Sequence, residues 1–157
     1  MCISMNRLFV AVAVLLLMPG CGVKEDQATQ PKQSGLILIN VLDKDWYDDC
    51  HIKGSINVPF SELDEFVKRL DMEKAEIVLY CSNYFCTSSL YGCKHLKEMG
   101  FKQVWAYEGG TAEWYQLGLP VNGPSQRAYL SKPVKAHEPA SDACIITAAV
   151  LAEKLGI

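Results

Sequence analysis

The hydrophobic pattern divides the chain into unlike stretches. Residues 36–42 (LILINVL) form a near-continuous apolar run, the pattern of a strand buried on both faces. Residues 76–80 (EIVLY) repeat it, residues 103–107 (QVWAY) read as a further strand, and a short strand is predicted over 55–58, closed by Pro59. Between these runs the period changes. Asp43 is placed to cap a short helix over 44–49. Leu63, Phe66, Val67 and Leu70 mark a helical stripe behind Ser61-Glu62-Leu63-Asp64, which has the form of a capping box. A helix over 87–99 should end at a left-handed Gly100, and one over 111–117 should stop at Gly118 and Pro120. Strands alternating with helices predict an α/β fold: a single domain with a central, mostly parallel sheet flanked by helices. Residues 125–139 are a polar connection carrying Pro133 and Pro139. Residues 143–155 (ACIITAAVLAEKL) read as a helix capped by Asp142 and ended by Gly156. That helix is apolar almost all round and too short to span a bilayer, so it should pack on the domain or on a partner.

The N-terminus carries a different pattern. After Arg7, residues 8–18 (LFVAVAVLLLM) are apolar without a break. As a helix the run rises about 16 Å, against ~30 Å of bilayer hydrocarbon, so it reads as the core of an export signal. Pro19-Gly20-Cys21 follows and resembles the lipobox of bacterial lipoproteins, in which the Cys is lipidated and becomes the first mature residue. Simple export with an uncleaved anchor, and a buried N-terminal helix, are the alternatives. The polar residues 23–35 read as a flexible tether. The division that results is a signal over 1–20, a tether over 21–35, a domain over 36–124, and a linker with a C-terminal helix over 125–157. The folded unit is thereby expected on the periplasmic side of a bacterial membrane, held by an N-terminal lipid or signal anchor.

Composition narrows the classes. Half of the 157 residues are hydrophobic and 21% are charged, which excludes wholesale disorder. The net charge is −3, and residues 36–124 carry eight Lys+Arg against thirteen Asp+Glu, so no nucleic-acid partner is expected. The seven cysteines, Cys2, Cys21, Cys50, Cys81, Cys86, Cys93 and Cys144, are odd in number and form no CxxC pair. A disulfide framework is therefore not expected. No metal or other cofactor is expected either. The set Cys81, Cys86, Cys93 and His95 lacks a zinc spacing, and one helix cannot wrap four ligands around an ion.

Cys81 stands where a parallel strand ends and a helix begins. Ligands of open α/β sheets bind at that edge, and the first helical N–H groups stabilise a thiolate or a bound anion. Cys81 is a candidate nucleophile on these grounds alone, with a thiolate expected on it.

Three motifs then carry a resemblance. Residues 50–59 (CHIKGSINVP) resemble the GHIxGAxNxP signature of rhodanese-like domains. Val78-Leu79-Tyr80-Cys81 is similar to the strand that delivers the catalytic Cys of that family. Glu108-Gly109-Gly110-Thr111-Ala112-Glu113-Trp114, followed by Gly118-Leu119-Pro120-Val121, resembles its closing GGxxxW…GxPV signature. The resemblance implies a sulfurtransferase in which Cys81 takes sulfane sulfur as a persulfide from a small donor and passes it to a thiol or protein acceptor. It makes Ser82, Asn83, Tyr84, Phe85 and Thr87 the substrate-binding loop, with its N–H groups on the transferred charge. Tyr84 and Phe85 either form an apolar rim or plug the loop against the domain. His51, Cys50, Cys93, Cys144 and the three tryptophans, Trp46, Trp105 and Trp114, are read as structural.

The departures shape the chemistry. The family's Arg five residues after the Cys is here Cys86, and the Asp of its first strand is Asn40. A thiosulfate dianion would meet only N–H groups and a helix dipole worth about 0.3–1 kcal/mol, against about 1.5–3 for a hydrogen bond to a charged group. Efficient thiosulfate turnover is therefore not expected. Cys86 is instead a candidate partner of Cys81, attacking it to form a disulfide that an outside thiol reduces. The alternatives are thus a thiol–disulfide or sulfur-redox protein using both cysteines, or a catalytically silent binding module.

Overall fold

The computed structural model describes residues 35–134 and 144–157. The expected signal, Cys21, the tether up to Ser34 and the Asp142 cap lie outside the described residues. Among the described residues no helix is long and apolar enough to cross a membrane.

Four parallel strands form the sheet. They are β1 (Leu36–Asn40), β3 (Ile56–Asn57), β4 (Glu76–Tyr80) and β5 (Gln103–Tyr107), in the order β3-β1-β4-β5. The apolar runs become the two central strands, since only a strand covered on both faces can bury every residue it carries. Successive side chains point to opposite faces and divide the core in two. Ile39, Ile77, Leu79, Cys81 and Val104 share one cluster with Leu63, Val67, Cys93 and Leu96. Leu38, Val78, Tyr80 and Tyr107 share the other with Ile52, Trp114 and Leu151. The first face is covered by α2 (Leu63–Val67) and α3 (Ser88–Glu98), and α4 (Gly110–Gln116) brings Trp114 to the second. Helix α1 (Lys44–Asp49) leads into β2 (His51–Ile52), which pairs antiparallel with β6 (Val121–Asn122). That small second sheet was not foreseen, and it joins the two ends of the domain. Asn40 is fully buried, and its Oδ1 accepts the Leu42 N–H at 2.9 Å. The amide thus serves as the acceptor that the turn after β1 needs.

Several expectations are corrected. Ser61 caps nothing: residues 60–62 form a 3₁₀ turn ahead of α2, and α2 has no side-chain cap. Trp46 and Trp105 are only partly buried. Arg127 lies 4.3 Å over the Trp46 ring and Lys154 4.7 Å over that of Trp105. Of the three tryptophans, only Trp114 is fully buried.

The largest correction is at the C-terminus. The last helix, α5, spans Ala148–Leu155 and is capped by Thr147, whose Oγ1 accepts the Val150 N–H at 3.3 Å; Asp142 is too far back to cap it. The residues before it are extended. Ala106 donates to the Cys144 carbonyl at 2.6 Å, Ile146 donates to the Ala106 carbonyl at 3.0 Å, and Ile145 bridges Ala106 in parallel. The stretch from Cys144 to Ile146 therefore extends the sheet at the β5 edge. The β-branched pair Ile145-Ile146 suits this role, and an unpaired edge gains hydrogen bonds from it. Gly156 closes α5 at φ 72°, as expected.

Helix α5 packs inward through Leu151, which is fully buried, while Val150 is exposed. Leu151→Ala should cost about 2–5 kcal/mol of unfolding free energy, and Val150→Ala should stay within about 0.5 kcal/mol. Urea denaturation of both variants measures the difference and reports whether α5 is part of the cooperative unit.

Candidate active site

Cys81 is the first residue past β4 and continues the row of Ile77 and Leu79 toward α3. Its backbone is held by α4. The Cys81 carbonyl accepts the Thr111 N–H at 3.0 Å and the Thr111 hydroxyl at 3.3 Å, and the Ser82 carbonyl accepts the Ala112 N–H at 2.9 Å. This approach requires Gly110. Its φ is +60°, and a Cβ there would lie 2.5 Å from the Cys81 carbonyl oxygen.

The loop between Cys81 and α3 is organised by its own polar groups. Asn83 Oδ1 accepts the Phe85 N–H at 3.0 Å, and the Asn83 carbonyl accepts the Cys86 N–H at 3.0 Å. Two of the N–H groups expected to face a substrate are thereby engaged inside the loop. Tyr84 folds back onto the domain, where its hydroxyl donates to Glu113 Oε1 at 2.9 Å. Tyr107 donates to Glu113 Oε2 at 2.7 Å. Burial, then the bond to Glu113, pushes both phenols above their usual range. Of the two loop aromatics, Tyr84 is the plug and Phe85, 77% exposed, is the rim. Thr87 is exposed and makes no side-chain cap to α3.

Both loop cysteines are free thiols. Cys81 has no exposed surface. Its sulfur lies 2.9 Å from the Cys86 carbonyl oxygen and 3.5 Å from Ser89 Oγ. The hydrogen bond to the Cys86 sulfur, then burial, holds the Cys81 thiol well above its usual range. Cys86 is half-buried and is pushed down to about 5. The first cause is the hydrogen bond from Cys81; the N–H and hydroxyl of Ser88 and the N–H of Ser82 add to it, against burial. Ser88 Oγ is 3.6 Å from the Cys86 sulfur. The two sulfurs are thus pushed in opposite directions: burial disfavours charge on Cys81, and the surrounding donors favour it on Cys86. The sequence expectation placed a thiolate on Cys81, whereas these directions favour charge on Cys86. The N–H groups at the helix start converge on Cys86, because the chain has curved by five residues between the two cysteines.

Ser88, Ser89 and Glu113 were given no role from sequence. The serines were detectable as the first helical residues after the loop, where N–H groups have no intrahelical partner. Glu113 stood inside the closing motif without a distinguishing signal. The remaining expectations resolve as structure. His51 Nδ1 bonds the Tyr47 carbonyl at 2.7 Å, and its ring stacks on Tyr47 at 3.7 Å. Cys50, Cys93 and Cys144 are buried.

A groove of about 370 Å³ ends at Ser88, the first residue of α3, and is lined by Leu42, Asp43, Trp46, Phe60, Ser61 and Ser88 among others, with no Lys or Arg. A smaller cavity of about 240 Å³ lies beside the loop tip at Asn83 and Phe85.

A parallel sheet that delivers a cysteine into an amide-lined loop at a helix start defines a class of thiol-dependent domain. Residues 24–117 match the family described as Rhodanese-like domain. The chain belongs to that family. It is 30% identical over 112 residues to the thiosulfate sulfurtransferase GlpE of Coxiella burnetii, an alignment spanning 71% of this chain and 83% of that protein. Among solved structures it is similar to the BH2092 protein of Bacillus halodurans (TM-score 0.53, 27% identity, 59% of this chain and 66% of that one). It is also similar to the Alr3790 protein of Anabaena sp. (TM-score 0.52, 25% identity, 58% and 70%).

The thiol pair should be visible in alkylation. Between pH 4 and 8, iodoacetamide should modify Cys86 ahead of Cys81 with an apparent pKa of about 5. Cys81→Ala removes the donor and should move that value up toward the ordinary thiol range near 8.5. Site-resolved mass spectrometry across the pH series checks both. Gly110→Ala should destabilise the fold by more than about 1 kcal/mol and lower the thermal midpoint, since the new methyl group has no room and the φ is unfavourable.

Proposed function

We propose that this protein is a sulfurtransferase that holds sulfane sulfur as a persulfide on Cys81 and passes it to a thiol acceptor. The observation that carries the reading is the delivery of Cys81 by β4 to the start of α3, inside a rhodanese-like domain whose curated relative is named a thiosulfate sulfurtransferase. Ser89 supplies a hydroxyl and an N–H to the Cys81 sulfur, a setting that suits a persulfide anion.

The donor class follows from charge. Residues 82–87 contain no Lys or Arg, so a dianion such as thiosulfate gains no ion pair from the loop, and the domain around it is acidic. An organic persulfide, which needs only N–H groups and an apolar wall, is the better match. The apolar run over 8–18 and Cys21 support a setting outside the cytoplasmic membrane on a lipid anchor.

A second reading has its own support. The hydrogen-bonded Cys81–Cys86 pair is built like a redox dithiol, in which one low-pKa thiolate lies beside a resolving thiol. The two readings separate in one experiment on the full-length protein. After incubation with cysteine persulfide, cyanolysable sulfur should appear, and site-resolved mass spectrometry should find it on Cys81 in the parent protein and not on residue 81 in Cys81→Ser. A Cys81–Cys86 disulfide with no retained sulfur would favour the redox reading, and neither product would leave a binding module. The same mass spectra report acylation of Cys21.

A further inference from the structure

The sulfur that is to carry the persulfide is the one that a donor cannot reach. Cys81 has no exposed surface, and its thiol is enclosed by the Cys86 carbonyl, Ser89 and the Cys86 sulfur. Cys86 is half-buried, and Ser88, whose Oγ lies 3.6 Å from the Cys86 sulfur, is also a lining residue of the groove over Leu42, Trp46 and Phe60. Two N–H groups, from Ser82 and Ser88, are directed at the Cys86 sulfur and none of the loop's side chains is cationic. The seat that would receive a substrate anion is therefore filled by the protein's own second sulfur.

We infer that Cys86 is the receiving thiol: it accepts sulfane sulfur from an organic persulfide arriving along the Ser88 groove and relays it to Cys81. This rests on the sulfur-transfer reading and adds the first acceptor and the donor class to it. In the first step the Cys86 thiolate attacks the terminal sulfur of R–S–SH. A Cys86–S–SH bond forms, the donor's S–S bond breaks, and R–S⁻ leaves. That thiolate carries off the Cys81 proton as R–SH. In the second step the Cys81 thiolate attacks the terminal sulfur of Cys86–S–SH. The new bond gives Cys81–S–SH, and Cys86 leaves as a thiolate, back in its seat between the Ser82 and Ser88 N–H groups. One sulfane sulfur has moved, with no net oxidation and no outside reductant.

The geometry sets both steps. The Cys81 sulfur lies 2.9 Å from the Cys86 carbonyl oxygen, so the two cysteines are neighbours across the loop and the second transfer is a local one. The leaving thiolate of that step is the most stabilised thiol of the pair, and a low leaving-group pKa speeds exchange. The groove carries Asp43 and no Lys or Arg, while Leu42, Trp46 and Phe60 give it apolar walls. An uncharged or organic R group fits these walls, and a sulfonate head does not.

The test uses reduced full-length protein, cysteine persulfide and thiosulfate as probes, and mass spectrometry that assigns added sulfur to each cysteine. With cysteine persulfide, Cys81→Ser should trap the sulfur on Cys86. Cys86→Ser and Cys86→Ala should load Cys81 at least about tenfold more slowly than the parent protein, since the activated thiolate is gone. Thiosulfate should load each form poorly. Circular dichroism confirms that the variants are folded, and the Cys81→Ser trap does not depend on the Cys86 variants. If Cys86→Ser loads Cys81 at the parent rate, the relay is overturned while the Cys81 persulfide stands. If the parent protein releases sulfide and ends as a Cys81–Cys86 disulfide, the relay is overturned in favour of reductive release. If the parent protein takes no sulfur on either cysteine, the sulfur-transfer reading itself fails.

Discussion

The close approach of α4 to the end of β4 is the constraint on which the site depends. The carbonyls of Cys81 and Ser82 are the last acceptors of a strand that has run out of neighbours, and Thr111 and Ala112 supply their donors. Because Gly110 has no side chain, the helix comes near enough to do so. Once Cys81 is pinned from below, the loop that follows must turn above it and bring residue 86 back over the sulfur. Glu113, one turn into the same helix, then ties down the loop tip through Tyr84 and the strand edge through Tyr107. A single short helix thus positions the backbone of Cys81 and the outer wall of its loop.

Much of this was legible in the sequence because it rests on strong, local signals. A strand buried on both faces must read as a continuous apolar run, so the runs over 36–42 and 76–80 point to strands; the first is observed over Leu36–Asn40 and the second over Glu76–Tyr80. The three motifs then placed Cys81 at a sheet edge. What was not legible depends on partners distant in the chain. Residues 143–147 look helical because they are continuous with a true helix, yet Cys144 and Ile146 are drawn out by the Ala106 N–H and carbonyl. Ser61 has the spacing of a cap, but Pro59 and the Val41 carbonyl, which takes the Phe60 N–H, set a 3₁₀ turn first. Tyr84 looked equally suited to rim or plug, and only the position of Glu113 decides between them.

The location of the thiolate is a sharper case. A cysteine at a strand–helix junction is expected to be acidic because helix N–H groups face it. The rule holds here, but for the other cysteine. Desolvation opposes charge on a sulfur with no exposed surface, and the N–H groups of Ser82 and Ser88 favour charge on the half-buried one. The proximity of the two cysteines couples their titrations and amplifies that difference. The buried sulfur becomes the donor and the outer sulfur the acceptor, so each perturbs the other further in the same direction.

The exchange of the family's Arg for Cys86 therefore alters more than the charge of the loop. An Arg at that position would leave the amide seat empty and electropositive, ready for an anion from solution. A thiolate at that position fills the seat and makes it a nucleophile, so an incoming anion meets repulsion where it would have met a clamp. The loop then favours chemistry in which the arriving group is itself a sulfur electrophile with little charge. A groove wall whose charged side chain is the carboxylate of Asp43, an exposed Phe85 and an acidic domain surface are consistent with that bias, and none of them offers a cation to thiosulfate. In the proposed relay the sulfur is still presented at a helix start, and the point of first contact lies outward at residue 86.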